Sequence, residues 1–323
     1  MQENGLVASY LLDGKGGGET LDWSRIAAWQ PDDGVLWVHL DRDSQHSRQW
    51  LQDESGLEPL IVESLLAEST RPRCVQVGGG VMLFLRGVNL NPGADPEDMV
   101  SIRLWIDDTR VISLRLRRLL SISDLRESID RGHGPCDVGD FVVQLADRMV
   151  SRISSVITDV DDKVDELQDQ VIEAEGGKLR TELMQLRREI IGLRRYLAPQ
   201  RDALTRLTQL KLPWLNEMDQ MHLREEADRI VRYVEDLDSA RERATVTQEE
   251  LSNRISEQMN ARMYVLSVVA AIFLPLGFLT GLFGVNVGGI PLADDPRGFL
   301  EMVLVLLLIT ALQVMLFRWR RWL

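Results

Sequence analysis

The chain has 323 residues, enough for one large or two medium domains, and its formal net charge is −13. Such an acidic chain is not expected to bind nucleic acid, whose phosphates need a basic surface. The charge is compatible with attracting cations, and the alternative is that it only keeps the protein soluble. Cys74 and Cys136 form no pair motif, so neither a disulfide framework nor a thiolate zinc cage is expected. Because no nucleophile–base pair or phosphate loop appears, we expect no enzyme and no tightly bound cofactor.

Residues 1–140 are predicted to form a cytoplasmic α/β domain. Apolar runs predict strands at residues 6–12, 35–40, 75–77, 81–90, 99–106 and 110–116. The glycines at 78–80 and the sequence Asp107-Asp108-Thr109 predict two hairpins between neighbouring strands. Helices are expected at residues 44–54, 59–67 and 121–129.

Residues 141–262 are predicted to form a cytoplasmic stalk of very long helices. Apolar residues recur at three- and four-residue steps over residues 140–175 and 178–210, with Gly176-Gly177 as the break between them. A last helix is expected to run from Asn216 to Phe283, which is about 100 Å at 1.5 Å per residue. A charged helix of that length needs packing partners, either from its own chain or from copies of itself.

Residues 263–323 are predicted to form a transmembrane helical hairpin. Residues 263–283 contain no charge, and residues 299–317 contain only Glu301 and the amide of Gln313 as strongly polar groups. Each run is long enough to cross a bilayer core of about 30 Å. Because arginines precede the first span and follow the second, we expect a multi-pass protein of the cell (inner) membrane, in contact with lipid, with both termini in the cytoplasm.

Two stretches of this chain, residues 186–202 and 254–286, resemble the helical region of the CorA family of divalent-cation transporters. The resemblance lies in Leu186-Arg187-Arg188-Glu189-Ile190-Ile191-Gly192-Leu193-Arg194-Arg195, Phe273-Leu274-Pro275-Leu276, Thr280-Gly281 and Gly284-Val285-Asn286. That family carries Gly-Met-Asn at the end of the first span. Here the middle residue is Val285, and Gly-Val-Asn followed by Val-Gly-Gly-Ile-Pro looks like the zinc-transporting ZntB branch. The resemblance covers residues 140–323 well and the N-terminal domain by architecture only.

The resemblance implies a funnel-shaped homopentamer, with first spans inside, second spans outside, and zinc or another divalent cation as the transported ion. Gly284, Val285 and Asn286 would form the outer mouth, where five Asn286 amides hold the cation through its hydrating water. The implied pore-lining residues are Gly281, Gly277, Leu274, Ala270, Leu266, Met263 and Met259. The alternatives are an ordinary helix-packing face for these seven residues and a helix cap for Asn286.

Asp219 and His222 are a second candidate metal site. They lie three residues apart on the predicted long helix, which places a carboxylate and an imidazole on one face. A solvated charged face is the alternative. For the whole chain we expect a zinc transporter, with a magnesium or other divalent-cation channel as the alternative in the same family. A membrane-anchored coiled-coil scaffold or sensor is the alternative from another class, but it has no need of a polar ring at the mouth.

Overall fold

The computed structural model describes residues 5–68, 71–173, 177–285 and 296–320. It divides into two compact units, Met1–Gln248 and Glu249–Leu323. The first unit contains both the sheet and most of the long helices, because some of those helices pack on the sheet. The sequence predicts separate domains for the two. The finer division at residues 1–140, 141–262 and 263–323 stays a prediction.

Seven strands form one sheet within the described part of the first unit. They are β1 (Leu6–Leu12), β2 (Gly18–Thr20), β3 (Leu36–Asp41), β4 (Arg73–Val77), β5 (Gly80–Gly87), β6 (Val100–Ile106) and β7 (Arg110–Arg115). Their order across the sheet is β2-β1-β3-β7-β6-β5-β4. Strands β3 and β7 pair in parallel, and the other neighbouring pairs are antiparallel. All six predicted strands and both hairpins are confirmed, whereas the short β2 was not predicted.

The helices of both units follow the predicted pattern closely. They are α1 (Trp23–Ala28), α2 (Gln45–Asp53), α3 (Pro59–Leu66), α4 (Leu120–Asp130), α5 (Val138–Glu173), α6 (Gly177–Gln209), α7 (Glu217–Phe283) and α8 (Gly298–Trp319), with a 3-10 turn at Pro31–Asp33. Only α1 and that turn were not predicted. Pro199 lies inside α6 and Pro275 inside α7.

Helices cover the sheet on both faces, which explains why its central strands are apolar on both sides. On one face, Val38 and Leu40 of β3 belong to a buried cluster with Trp50 of α2 and Leu65 of α3. On the other face, the alternate residue Trp37 stacks on Tyr10 and meets Phe141 of α5 edge-on, with ring centroids 5.7 Å and 5.0 Å apart. A strand that is buried on both faces has a nearly continuous apolar sequence, and in β3 only His39 interrupts the run from Leu36 to Leu40.

One titratable group lies inside this packed layer. His39 is fully buried, and its Nδ1 lies 2.8 Å from Ser113 Oγ, which also accepts a hydrogen bond from Trp37 Nε1 at 2.9 Å. Its Nε2 has no hydrogen-bond partner among the described residues. Burial, followed by the charges of Arg115 and Arg126, lowers the pKa of His39 to about 3. The imidazole is therefore neutral in the folded protein.

The neutral His39 predicts an acid-labile first unit. Below pH 6.5 the unfolded chain binds a proton that the folded chain does not, so stability falls between pH 6.5 and 3. By pH 5 the loss is about 2 kcal/mol. The His39→Leu variant is expected to be less stable at pH 7.5, through the lost Ser113 contact, but to lose less on acidification. Thermal unfolding of the full chain at pH 7.5 and 5 checks this, with the exposed His133→Gln as control. Equal pH dependence in wild type and His39→Leu would contradict it.

The long helices of the first unit pack on one another through the predicted apolar rows. The buried apolar residues of α7 in this unit are Leu223, Ala227, Ile230, Val234, Leu237, Ala240 and Ala244. Ion pairs link α7 to both neighbours: Arg194 of α6 with Asp238 at 2.6 Å, and Arg243 with Asp161 and Asp165 of α5. The long helix therefore takes its packing partners from its own chain over this length, so copies of the protein are not needed to bury its apolar row.

Candidate cation pathway

The described residues contain two helical segments that are long and apolar enough to cross a membrane. One is the C-terminal part of α7 and the other is α8, and neither apolar window is buried within the protomer. The predicted spans at residues 263–283 and 299–317 lie inside these helices. Because a core helix of a soluble protein would be buried, the exposure of both segments favours a membrane environment.

The first span has one partly covered face. Val268, Ile272, Leu276 and Leu279, which recur at four, four and three residues, are less exposed than most of their neighbours. The carbonyl oxygen of Ala271, the residue before Ile272, lies within hydrogen-bonding distance of Gln313 of α8. This face of the first span therefore points towards the second span of the same protomer.

The seven predicted pore-lining residues share the other face. They follow one another at steps of three or four residues from Met259 to Gly281, and all seven are exposed in the protomer. The large side chains among them, Met259, Met263, Leu266 and Leu274, keep 58, 61, 69 and 73% of their surface. Ala270 lies two residues from Ile272, which is about 200° around the helix. The structure thus brings the seven residues onto one face turned away from α8, and their role as a pore lining stays a prediction.

The two glycines of this face are not required by packing within the protomer. A methyl group added at Gly277 or Gly281 would meet no described atom within 4 Å. Glycine in a helix interior costs about 1 kcal/mol relative to alanine. Within the described part of the protomer, no neighbouring atom requires glycine at these two positions. A pore lining formed by several copies would give the two small residues a role.

The predicted mouth is described only in part. The Gly284 amide donates to the carbonyl oxygens of Thr280 and Gly281, at 3.0 Å and 3.2 Å, and so closes the end of α7. A methyl group at Gly284 would lie 3.0 Å from the Thr280 oxygen, which is a tight contact. Val285 is about half exposed, at 49%. Asn286 lies outside the described residues, so its role as pore ligand or helix cap stays open.

Asp219 has a structural role at the start of α7. The Asp219 amide donates to Asn216 Oδ1 at 2.9 Å, and the Asn216 amide donates to Asp219 Oδ2 at 3.3 Å, which is a capping box. Burial raises the pKa of Asp219, and Asp137 and Asp140 act in the same direction. His222 is exposed. No group of three His, Cys, Asp or Glu residues that could hold a metal occurs within the described ranges. A metal site at Asp219 and His222 stays an untested prediction.

Acidic groups also gather where α6 meets the loop before β6. Burial raises the pKa of Glu189 to about 7, and the charges of Glu97, Asp159 and Asp95 act in the same direction. The first unit therefore concentrates negative charge at this place. Such a surface attracts cations at long range, which is different from binding one directly.

Comparisons with known proteins agree with the resemblance seen in the sequence. A family model described as CorA-like Mg2+ transporter protein matches residues 32–321. The divalent cation transporter CmaX of Pseudomonas aeruginosa is 43% identical over 99% of this chain and 98% of its own length. The zinc transport protein ZntB of Yersinia enterocolitica is 38% identical over 96% of this chain and 93% of its own length.

Solved structures support the same assignment. The structure of the full-length CmaX protein matches with a TM-score of 0.87 and 42% identity, covering 99% of both chains. The complete structure of the CorA magnesium transporter from Methanocaldococcus jannaschii matches with a TM-score of 0.82 over 97% of this chain and 98% of its own, but at 18% identity it supports the fold alone. The chain therefore belongs to the CorA family, in its ZntB-like branch, and is a membrane transporter of divalent cations rather than an enzyme.

Proposed function

We propose that the protein is a homopentamer of the inner membrane that transports zinc along its axis, with both termini in the cytoplasm. The observation that carries this proposal is the exposed face of the first span, from Met259 to Gly281, which has no covering element among the described residues of the protomer. One such span cannot enclose a water path, so several copies must surround an axis. The family resemblance implies five copies.

The proposed mouth selects cations without binding them too tightly. Five Asn286 carboxamides present a ring of oxygens that orient the water shell of a divalent cation. A cation held in this way can also leave, whereas fixed charges in a membrane span are costly and would trap it. Gly284 and Val285 complete the mouth, and zinc enters as the transported ion rather than as a resident cofactor.

Below the mouth, the pathway alternates between wide and narrow levels. Small residues at Gly281, Gly277 and Ala270 widen it, whereas four large apolar side chains narrow it, at Leu274, Leu266, Met263 and Met259. Apolar constrictions can close a pore by excluding water. In this proposal the cation crosses these levels with its water shell, and the acidic surface of the first unit raises the local cation concentration at the cytoplasmic side.

Zinc is favoured over magnesium by the Gly-Val-Asn sequence and by the ZntB relatives, which are named for zinc transport. CmaX is named only for divalent cations, so magnesium or another divalent ion is the second candidate. Membership of a transporter family favours a pore over the alternative of a membrane-anchored scaffold.

Reconstitution tests the proposal directly. Liposomes that contain the protein are loaded with a zinc-sensitive dye or, in parallel, with a magnesium-sensitive dye, and they are expected to take up zinc faster than magnesium from equal external concentrations. Native mass spectrometry of the same preparation in mild detergent is expected to give five protomers. A stable monomer or dimer as the main species would contradict the pore. Faster uptake of magnesium would leave the pore intact and reject zinc as the substrate.

A further inference from the structure

Gln313 is the only side-chain amide between Phe299 and Phe317 of the second span. Its Nε2 lies 3.4 Å from the carbonyl oxygen of Ala271 in the first span. Its Oε1 is buried and has no hydrogen-bond partner among the described residues. In the sequence, Gln313 is an exception in an apolar run. A polar residue in a membrane span is costly, and that cost is the signal that could have marked it as functional.

The acceptor of this contact is a carbonyl group that its own helix cannot satisfy. In an α-helix the carbonyl of Ala271 would accept a hydrogen bond from residue 275, but residue 275 is proline and has no N–H group. No water is present in a bilayer core to replace the missing donor. Gln313 supplies a donor from the neighbouring span, so Pro275 and Gln313 are two parts of one contact.

Other polar side chains near this level bind elsewhere. Ser267 donates to the carbonyl oxygen of Met263 at 2.8 Å. Thr280 donates to the carbonyl oxygens of Leu276 and Gly277, at 3.0 Å and 3.1 Å. Both hydroxyl groups are therefore used within their own helix. Within the described chain, Gln313 is thus the side chain that reaches the Ala271 carbonyl.

The position of the contact divides the proposed pore face. The interruption between Ala271 and Pro275 separates Met259, Met263, Leu266 and Ala270 from Gly277 and Gly281, and Leu274 lies within the interrupted turn. A cavity of about 380 Å³ lies beside the contact, lined by Tyr264, Ser267, Val268, Ala271 and Phe317. A helix with a missing hydrogen bond and space beside it can change its bend at this level unless another group holds it.

We infer that Gln313 is a positioning residue for transport, which holds the second span to the first at the carbonyl group freed by Pro275. It thereby fixes how the pore-facing residues before Pro275 are oriented relative to those after it. Gln313 itself does not touch the cation. The inference rests on the proposed function, because the residues that it positions are those of the proposed pore.

A double-mutant cycle tests this inference. Gln313→Met keeps the length of the side chain and removes the donor, and it is expected to lower the maximal rate of zinc uptake into liposomes about threefold, the size of an average interhelical hydrogen bond in a membrane. The zinc concentration for half-maximal uptake is expected to stay unchanged, since the mouth is intact. Pro275→Ala restores an N–H group for the Ala271 carbonyl, so Gln313→Met should then have little further effect. Leu312→Ala, at an exposed neighbouring position, is the control.

Each outcome of the cycle decides the inference. A threefold loss that disappears in the Pro275→Ala background supports it. The same loss in both backgrounds, or no loss in either, would overturn it, because Gln313 would then act independently of the proline. If the wild type carries no divalent cation, the proposed function and the positioning role both fail. In that case, thermal unfolding of the wild type, the two single variants and the double variant still tests whether the contact exists. A contact is shown when Gln313→Met lowers stability in the wild type but not in the Pro275→Ala background.

Discussion

Replacing Asn286 by alanine is expected to abolish most zinc flux into liposomes while leaving assembly intact. The change removes the proposed ring of five carboxamide oxygens and leaves an apolar mouth, at which a hydrated cation has no group to orient its water. Asn286→Asp is expected to fail for the opposite reason. It adds one negative charge per protomer at close range, which holds the cation more strongly or changes which cation enters.

Both Asn286 variants need a control for folding and assembly. Asn253→Ala makes the same substitution at an exposed position of α7 outside the predicted span, and it is expected to transport like the wild type. Native mass spectrometry should give the same oligomer for all four proteins. Transport of zinc by Asn286→Ala at the wild-type rate would reduce Asn286 to a helix cap and refute the proposed selectivity of the Gly-Val-Asn sequence.

Filling the pathway at Gly277 is expected to block transport without disturbing the protomer. Gly277→Leu places five leucine side chains at one level of the proposed axis, next to the existing narrowing at Leu274. An apolar constriction of this kind excludes water, so uptake should fall about tenfold or more. Because a methyl group at Gly277 meets no described atom within 4 Å, and because leucine favours helix more than glycine does, the fold should tolerate the change.

The matched control for Gly277→Leu lies on the second span. Ala311→Leu is also a small-to-large change at an exposed position, close to the level of Gln313, but on the helix that the proposal places outside. It is expected to keep most of the zinc uptake, since the proposal places this helix against lipid and away from the pathway. Equal transport by Gly277→Leu and the wild type would show that this face of the first span does not line the pathway.

The sequence by itself determined the elements of this protein and the place of its spans. The apolar runs at residues 6–12, 35–40 and 99–106 predict strands, and the rows along α5 and α6 predict helices, because the position of an apolar residue in a periodic pattern is a local property. The two apolar segments likewise predict membrane spans from length and composition alone. The seven-residue row from Met259 to Gly281 follows from the family resemblance, and helical spacing places it on one face.

Only the tertiary structure decided which residues meet across large distances in the chain. The parallel pairing of β3 with β7 joins segments about 70 residues apart, and it brings the buried His39 beside Ser113. Asp219 is a capping residue because Asn216 exchanges hydrogen bonds with it at the start of α7. The contact of Gln313 with Ala271 depends on how α8 packs beside the proline of α7. A sequence pattern fixes which face of an element is apolar, but the partner of each polar group depends on packing between elements, which no local periodicity encodes.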